Sequence, residues 1–292
     1  MTVDATTFTP LATEPLWLAI TNLGRDEVFI AVLTLYTWLV NPQRARQLGI
    51  VFALSYLVNS ALKYGFDVAR PFAAAGQAST AAQATAGGPS FPSGHAQMSS
   101  TLWAGMAAQL RHPYFWGVAV LMLGLIAYSR LALGVHYPAD VLVGLVLGLG
   151  FAALAGTQRW HLPADQVWRW GVPAALLLAS LLLPNWTPRE LPASLGILAG
   201  FWALRLNYTP PRDWAGRLAV ALIGLALVLG LYLALSLLLP ASLKALSGMT
   251  ALRYAVLVLF AGGAVPKLLR RWLPERQAMP HPHPEPLPAT TH

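Results

Sequence analysis

Apolar residues in this chain come in blocks of about 15–25, the length that crosses a ~30 Å hydrocarbon core as a helix. Short polar stretches separate the blocks. Only 10% of the 292 residues are charged and 56% are hydrophobic, too little charge to keep the surface of a soluble chain of this size wet. These features predict an all-α, polytopic transmembrane bundle. The net charge of +8 does not indicate nucleic acid, because the basic residues are spread between the apolar blocks rather than gathered in one patch. They read as topology signals facing anionic lipid. The chain has no cysteine, which excludes disulfides and thiolate metal sites.

The pattern predicts about nine spans: Asp26–Val40, Leu48–Lys63, Ala96–Leu110, Pro113–Ser129, Pro138–Gly156, Trp170–Leu183, Leu191–Leu206, Leu218–Leu239 and Ala251–Leu269. Glu14–Leu23 is apolar but short, and is expected along the interface or against the first span. Residues 1–13 carry Asp4 and no Lys or Arg, unlike the basic start of a cleaved signal peptide. Ala73–Gly88, rich in Ala, Gly, Gln, Ser and Thr, reads as a flexible loop. Three regions follow: a core over 1–157 that holds the chemistry, additional helices over 158–273, and a disordered Pro/His-rich tail over 274–292. With the N-terminus outside, twelve basic residues fall on one face and seven on the other, and Lys63, Arg70 and Arg130 are among the seven. The twelve-residue face is expected in the cytoplasm, together with the C-terminus.

Three short blocks at the outer ends of spans carry the chemistry. In the first, Lys63 and Arg70 lie about two helical turns apart and share a face if the helix continues to Pro71, which would end it. Alone, they could be a snorkelling pair with Asp67 as partner. In the second, Pro92-Ser93-Gly94-His95 precedes an apolar helix. Ser93 suits an N-cap, Gly94 permits close approach to a ligand, and the free N–H groups of a helix start attract anions. His95 would set a proton donor beside that cradle. In the third, Ser129-Arg130 is followed by His136 and Asp140. Their four-residue spacing would bring the carboxylate beneath the imidazole, fixing its tautomer and leaving the other nitrogen nucleophilic. Each block has an ordinary structural explanation singly. Jointly, three cations, an N–H cradle and two histidines on one membrane face describe a phosphoryl-binding site, since charges in spans normally converge on a site.

The three blocks resemble the signature of the type 2 phosphatidic acid phosphatase superfamily, K-x6-R-P, P-S-G-H and S-R-x5-H-x3-D, in order and spacing. The resemblance covers about residues 48–157. It implies His136 as the nucleophile that forms a phosphohistidine, Asp140 as its orienting group and His95 as the acid. It also implies Lys63, Arg70, Arg130, Ser93 and the Gly94 N–H as holders of the phosphoryl oxygens. No metal or other cofactor is expected. The implied activity is hydrolysis of a lipid phosphate or diphosphate on the periplasmic or extracellular face, in a bacterium at the inner membrane. Undecaprenyl diphosphate, phosphatidate and phosphatidylglycerophosphate are the leading substrates, in that order. A phosphotransferase sharing the first half-reaction, or a non-catalytic lipid-phosphate transporter, are the alternatives. Lipid substrate and membrane are the expected partners, with no nucleic acid and no indication of a homodimer. The spans after Gly156 carry no motif and could serve as scaffold, dimer surface or lipid path. Gly144, Gly148 and Gly150 are expected at close helix contacts.

Overall fold

In a computed structural model that describes residues 13–75, 78–157 and 165–275, the chain is built from helices joined by tight, capped turns. Arg159 and the Pro/His tail beyond Glu275 lie outside the described residues. The helices are α1 (Glu14–Thr21), α2 (Asp26–Leu39), α3 (Pro42–Phe66), α4 (Pro71–Ala75), α5 (Thr80–Ala84), α6 (Gly94–Ser99) and α7 (Gly105–Leu110). They continue with α8 (Pro113–Ala132), α9 (Pro138–Gly156), α10 (Gln166–Leu181), α11 (Glu190–Ala203) and α12 (Trp214–Leu237). The last are α13 (Ala241–Lys244), α14 (Ser247–Leu259) and α15 (Val265–Leu268). A π-helical turn, Ser100–Ala104, joins α6 to α7, and another, Phe260–Ala264, joins α14 to α15. Among the described residues no β-strand forms, apart from one isolated bridge between Tyr208 and Glu275. Helices satisfy their own backbone polar groups, which an apolar solvent demands.

The caps follow from sequence. Asn41 accepts from Arg44 N at 3.0 Å and Pro42 takes the first turn of α3, where a missing N–H costs nothing. Pro113 and Pro138 open α8 and α9 in the same way. Asp213 caps α12 through Gly216 N at 2.7 Å.

All nine apolar blocks are helical, but among the described residues only five helices are long and apolar enough to cross a membrane: α3, α8, α9, α12 and the rod Ser247–Leu268. The expected nine full spans are therefore not matched by length. Helices α2 and α11 have 14 residues each and α10 has 16. At 1.5 Å per residue, 14 residues reach ~21 Å against a ~30 Å core. Of these, α2 and α11 are largely enclosed by longer helices, whereas α10 exposes Trp168, Leu178 and Leu181, and α8, α9 and α12 turn Val120, Leu142, Val146 and Leu222 outward. An apolar exterior of this kind suits lipid, and the chain is an integral membrane protein.

The helices after Gly156 are not a separate body. Helix α11 packs against both α3 and α14. At Gly49 a Cβ would stand 2.5 Å from the Phe201 ring, so glycine is what lets α3 approach α11. At the end of the bundle away from the three motifs, Arg46 donates to the carbonyls of Phe201 and Trp202 at 2.9 and 2.6 Å. There Arg44 donates to Gln109 O at 2.5 Å, and Gln109 returns bonds to Arg44 O and Ala155 O at 3.0 and 3.1 Å. Basic side chains thus close the carbonyl ends of α7 and α11, where the helix dipole favours positive charge.

Three expectations need correction. Helix α1 packs mainly on α8 rather than on the first span, with Trp17 edge-on to Tyr128 at 4.9 Å. The segment 73–88 is not a plain loop: it folds into α4 and α5, with Ser79 capping α5 through Ala82 N at 3.0 Å. Gly144 and Gly148 do lie against α6, where a Cβ on Gly144 would stand 2.7 Å from Ser93 O, but Gly150 meets nothing within 4 Å.

Candidate active site

Helix α3 ends at Phe66, and Asp67 turns the chain with φ 46°, in the left-handed region. Arg70 therefore does not extend the face of Lys63, as the seven-residue spacing suggests, and Pro71 begins α4 instead of ending α3. The turn still returns Arg70 to the site. Lys63 Nζ donates to Pro89 O at 2.7 Å. Arg70 donates to Gly88 O, Gly87 O and Val135 O at 2.8, 2.7 and 2.9 Å. The backbone of 87–89 thus fixes both cations before any ligand arrives.

Arg130, in the last turns of α8, is fully buried. Its Nη1 donates to Thr21 Oγ1 at 2.5 Å and Thr85 Oγ1 at 3.0 Å, and its Nη2 to Thr85 O at 3.1 Å. Its Nε has no hydrogen-bond partner. Residues from α1 and the α5 segment thus orient a cation on α8.

His136 lies in the short link between α8 and α9, and Asp140 in the first turn of α9. His136 Nδ1 stands 3.3 Å from Asp140 Oδ2, and His136 Nε2 stands 3.1 Å from Arg70 Nη1. The same Asp140 oxygen accepts from Tyr137 N at 2.9 Å and from Ser90 Oγ at 2.5 Å. This network assigns the imidazole proton to Nδ1 and leaves the Nε2 lone pair toward the cations. Burial pushes the His136 pKa well below its ordinary 6.5, and Arg70, Arg130 and Lys63 push it the same way. The hydrogen bond to Asp140 opposes them without cancelling them.

Ser93 stands at the N-cap position of α6, but its side chain makes no cap bond, and its buried Oγ has no partner. Its backbone N donates to Asp140 O at 3.0 Å, which joins the second block to the third. His95 packs against Gly24, where a Cβ would stand 2.8 Å from His95 Cδ2, and its Nε2 is also buried without a partner. Two bonds hold the rear of the site. Asn59 donates to Gln97 Oε1 at 2.9 Å, and Gln97 donates to Ser55 O at 2.9 Å. A Cβ on Gly94 would stand 3.3 Å from Asn59 Oδ1.

A cavity of about 320 Å³ collects these groups, and Lys63, Arg70, Gly94, His95, Arg130 and His136 all line it. All eight residues singled out from sequence lie in or beside one space. Sequence reasoning missed Ser90, Thr85, Thr21 and Asn59, which hold the eight in place. It also missed Asp26, Arg189, Glu190 and Tyr232, which close the opposite wall. Arg189 donates to Asp26 Oδ2 at 2.7 Å, so a residue preceding α11 pairs with the start of α2 across the cavity mouth. Among the described residues no group of three or more His, Cys, Asp or Glu side chains converges as a metal site would require.

What such an arrangement can do chemically is limited by charge. Three cations facing a neutral imidazole nitrogen would hold a multiply charged oxyanion against that nitrogen. Unpartnered polar atoms of Ser93, His95 and Arg130 around the same space could supply further hydrogen bonds to it.

Comparison with known proteins agrees. Residues 44–164 match the PAP2 superfamily, and residues 191–276 match the PAP2 superfamily phosphatase, transmembrane extension. Over 138 residues the chain is 31% identical to a protein of Sulfolobus acidocaldarius named undecaprenyl-diphosphatase. That stretch covers 46% of this chain and 64% of the relative, somewhat under two thirds of its length. No solved structure matches. The two matched regions span well over half of the sequence and include every motif residue, and the chain belongs to the PAP2 superfamily.

Proposed function

We propose that this protein is a metal-independent membrane phosphatase acting on a lipid phosphate or diphosphate. One observation carries the reading: Lys63, Arg70 and Arg130 converge with His95 on the cavity into which His136 Nε2 faces. In the proposed mechanism, Nε2 attacks phosphorus and the bond from phosphorus to the leaving oxygen breaks. His95 gives that oxygen its proton. Deprotonated His95 then takes a proton from water, whose oxygen bonds to phosphorus as the P–Nε2 bond breaks, releasing inorganic phosphate and restoring His136. Ser93 Oγ, Gly94 N–H and the three cations bear the charge of the non-bridging oxygens as it redistributes. The name of the Sulfolobus acidocaldarius relative puts a long-chain polyprenyl diphosphate first among substrates, ahead of phosphatidate and phosphatidylglycerophosphate.

Purified protein in mixed micelles should release phosphate from the polyprenyl diphosphate faster than from phosphatidate, and from either faster than from a soluble aryl phosphate. EDTA should leave the rate unchanged and vanadate should block it. Equal kcat/KM on the aryl phosphate would refute the lipid assignment, and loss in EDTA restored by a divalent ion would refute the metal-free mechanism.

The site end of the bundle is assigned to the outer face, because the opposite end holds the larger share of basic residues. Gln83, exposed on α5, and His112, exposed between α7 and α8, report the two ends. The native chain has no cysteine. In intact cells an impermeant thiol reagent should therefore label the Gln83→Cys protein and spare the His112→Cys protein. The reverse pattern would place the site in the cytoplasm.

A further inference from the structure

Beneath the phosphate cavity lies a second space, apolar and walled by α2 and the superfamily core on one side and the C-terminal extension on the other. Helix α2 supplies Ile30, Leu33 and Trp38 to one side, while Ile197, Val228 and Ala261 face them from α11, α12 and the π-turn after α14. Asp26, Phe29, Tyr56 and Met98 line both this slot and the phosphate cavity, so the two are continuous. Two of the polar groups in its wall are engaged by backbone carbonyls. Thr37 donates to Leu33 O at 2.7 Å and Trp38 Nε1 donates to Ala261 O at 2.9 Å. Asp26, at the mouth, is engaged by Arg189.

We propose that this slot receives the hydrocarbon tail of the substrate, and that the extension exists in this chain to form its far wall. The inference rests on the lipid-phosphate reading above and names where the tail goes. Three observations select a tail over any other occupant. A polar ligand would find almost nothing to hydrogen-bond to below Asp26. A volume of about 80 Å³ between the fold's own helices is too narrow for an element of a partner chain. The depth also fits. From Asp26 to Trp38 along α2 the slot covers ~18 Å at 1.5 Å per residue, close to half of a ~30 Å hydrocarbon core. A phosphate held at His136 would thus let its tail descend one leaflet's depth inside the protein.

Were the tail left in the bilayer, chain length would matter little once a lipid is membrane-bound. With a slot, the enzyme itself discriminates by tail.

The test compares a long-chain polyprenyl diphosphate with a short, water-soluble prenyl diphosphate in the native protein and in an Ala261→Phe variant, which fills the lower slot. The kcat/KM for the long substrate should fall about tenfold, the effect of losing about two buried methylenes. The short substrate should be unaffected. Equal losses on both would overturn the proposal. A second measurement needs no variant and no turnover. A non-hydrolysable long-chain phosphonate carrying a diazirine low on its tail should photolabel peptides from α2, α12 and α14. Labelling confined to the outward faces of α8 and α9 would overturn the proposal. If neither diphosphate is hydrolysed by the native protein, the phosphatase reading fails, while the photolabel still reports whether the tail enters the slot.

Discussion

Replacing His136 with Ala is expected to reduce phosphate release to background, a loss on the order of 10⁶, because the group that forms the intermediate is gone. Asp140→Asn should cost less, roughly 10⁴, since the imidazole survives but loses the anion that fixes its tautomer. Ser90→Ala should cost about tenfold, because one of the three donors to Asp140 Oδ2 is removed and the carboxylate is held less firmly. The order of these losses is the prediction, measured as kcat/KM with a lipid diphosphate. A second readout is pH. The depressed His136 pKa means the attacking, unprotonated form persists below pH 6.5. The acid limb of kcat/KM should therefore lie below that value in the native protein. Asp140→Asn removes the hydrogen bond that raises the imidazole pKa, which can only move that limb further toward acid. Full activity in the His136→Ala protein would end the mechanism, and an Asp140→Asn limb displaced upward would end the assigned tautomer.

Arg130→Ala should lower kcat/KM by about 10²–10³, the usual cost of removing one group that stabilises charge in the transition state. Arg130 is distinguished from Lys63 and Arg70 by its supports. It is anchored to Thr21 and Thr85 and carries a buried Nε with no partner, while the other two are held by backbone carbonyls. Arg130→Lys should rescue little, since an ammonium cannot reproduce bonds to both threonines and still present a donor to the cavity. Thr85→Val leaves the charge but frees one side of the guanidinium, and should raise KM more than it lowers kcat. The measurement is steady-state kinetics on the diphosphate for all three proteins. If Arg130→Lys retains native activity, Arg130 acts as a point charge and the geometric role is wrong.

Much of this was legible in the sequence, for identifiable reasons. Apolar blocks of span length fold as helices because lipid leaves backbone groups no other partner, so every one of them was found. The three motifs are local, and a down-and-up pair of helices, α6–α7 and α8, returns the third to the end where the first two lie. Local spacing failed where the chain turns: Asp67 breaks α3, so Arg70 reaches His136 by a loop and not along a helix face. The supporting residues were invisible for a different reason. Ser90 finds its acceptor 50 positions away and Arg189 finds Asp26 163 positions away, and one serine or arginine carries no signal of a partner so remote. The composition of 73–88 suggested mobility, yet Thr85, Gly87 and Gly88 offer a hydroxyl and three carbonyls to two buried guanidinium groups, which anchors the segment.

The arginines that seal the carbonyl ends of α7 and α11 have a consequence for the evolution of orientation. A membrane protein reverses its topology by trading a few loop cations for neutral residues. Here Arg44 and Arg46 lie at the end of the bundle away from the site, where the proposed orientation puts the charge excess, and they also fasten α3 to Gln109, Phe201 and Trp202. Under that orientation, losing them would weaken the sorting signal and also remove bonds that tie α3 to α7 and α11. A change of orientation made through these two positions would thus carry a cost in stability, so the sorting signal and the packing of α3 would change together.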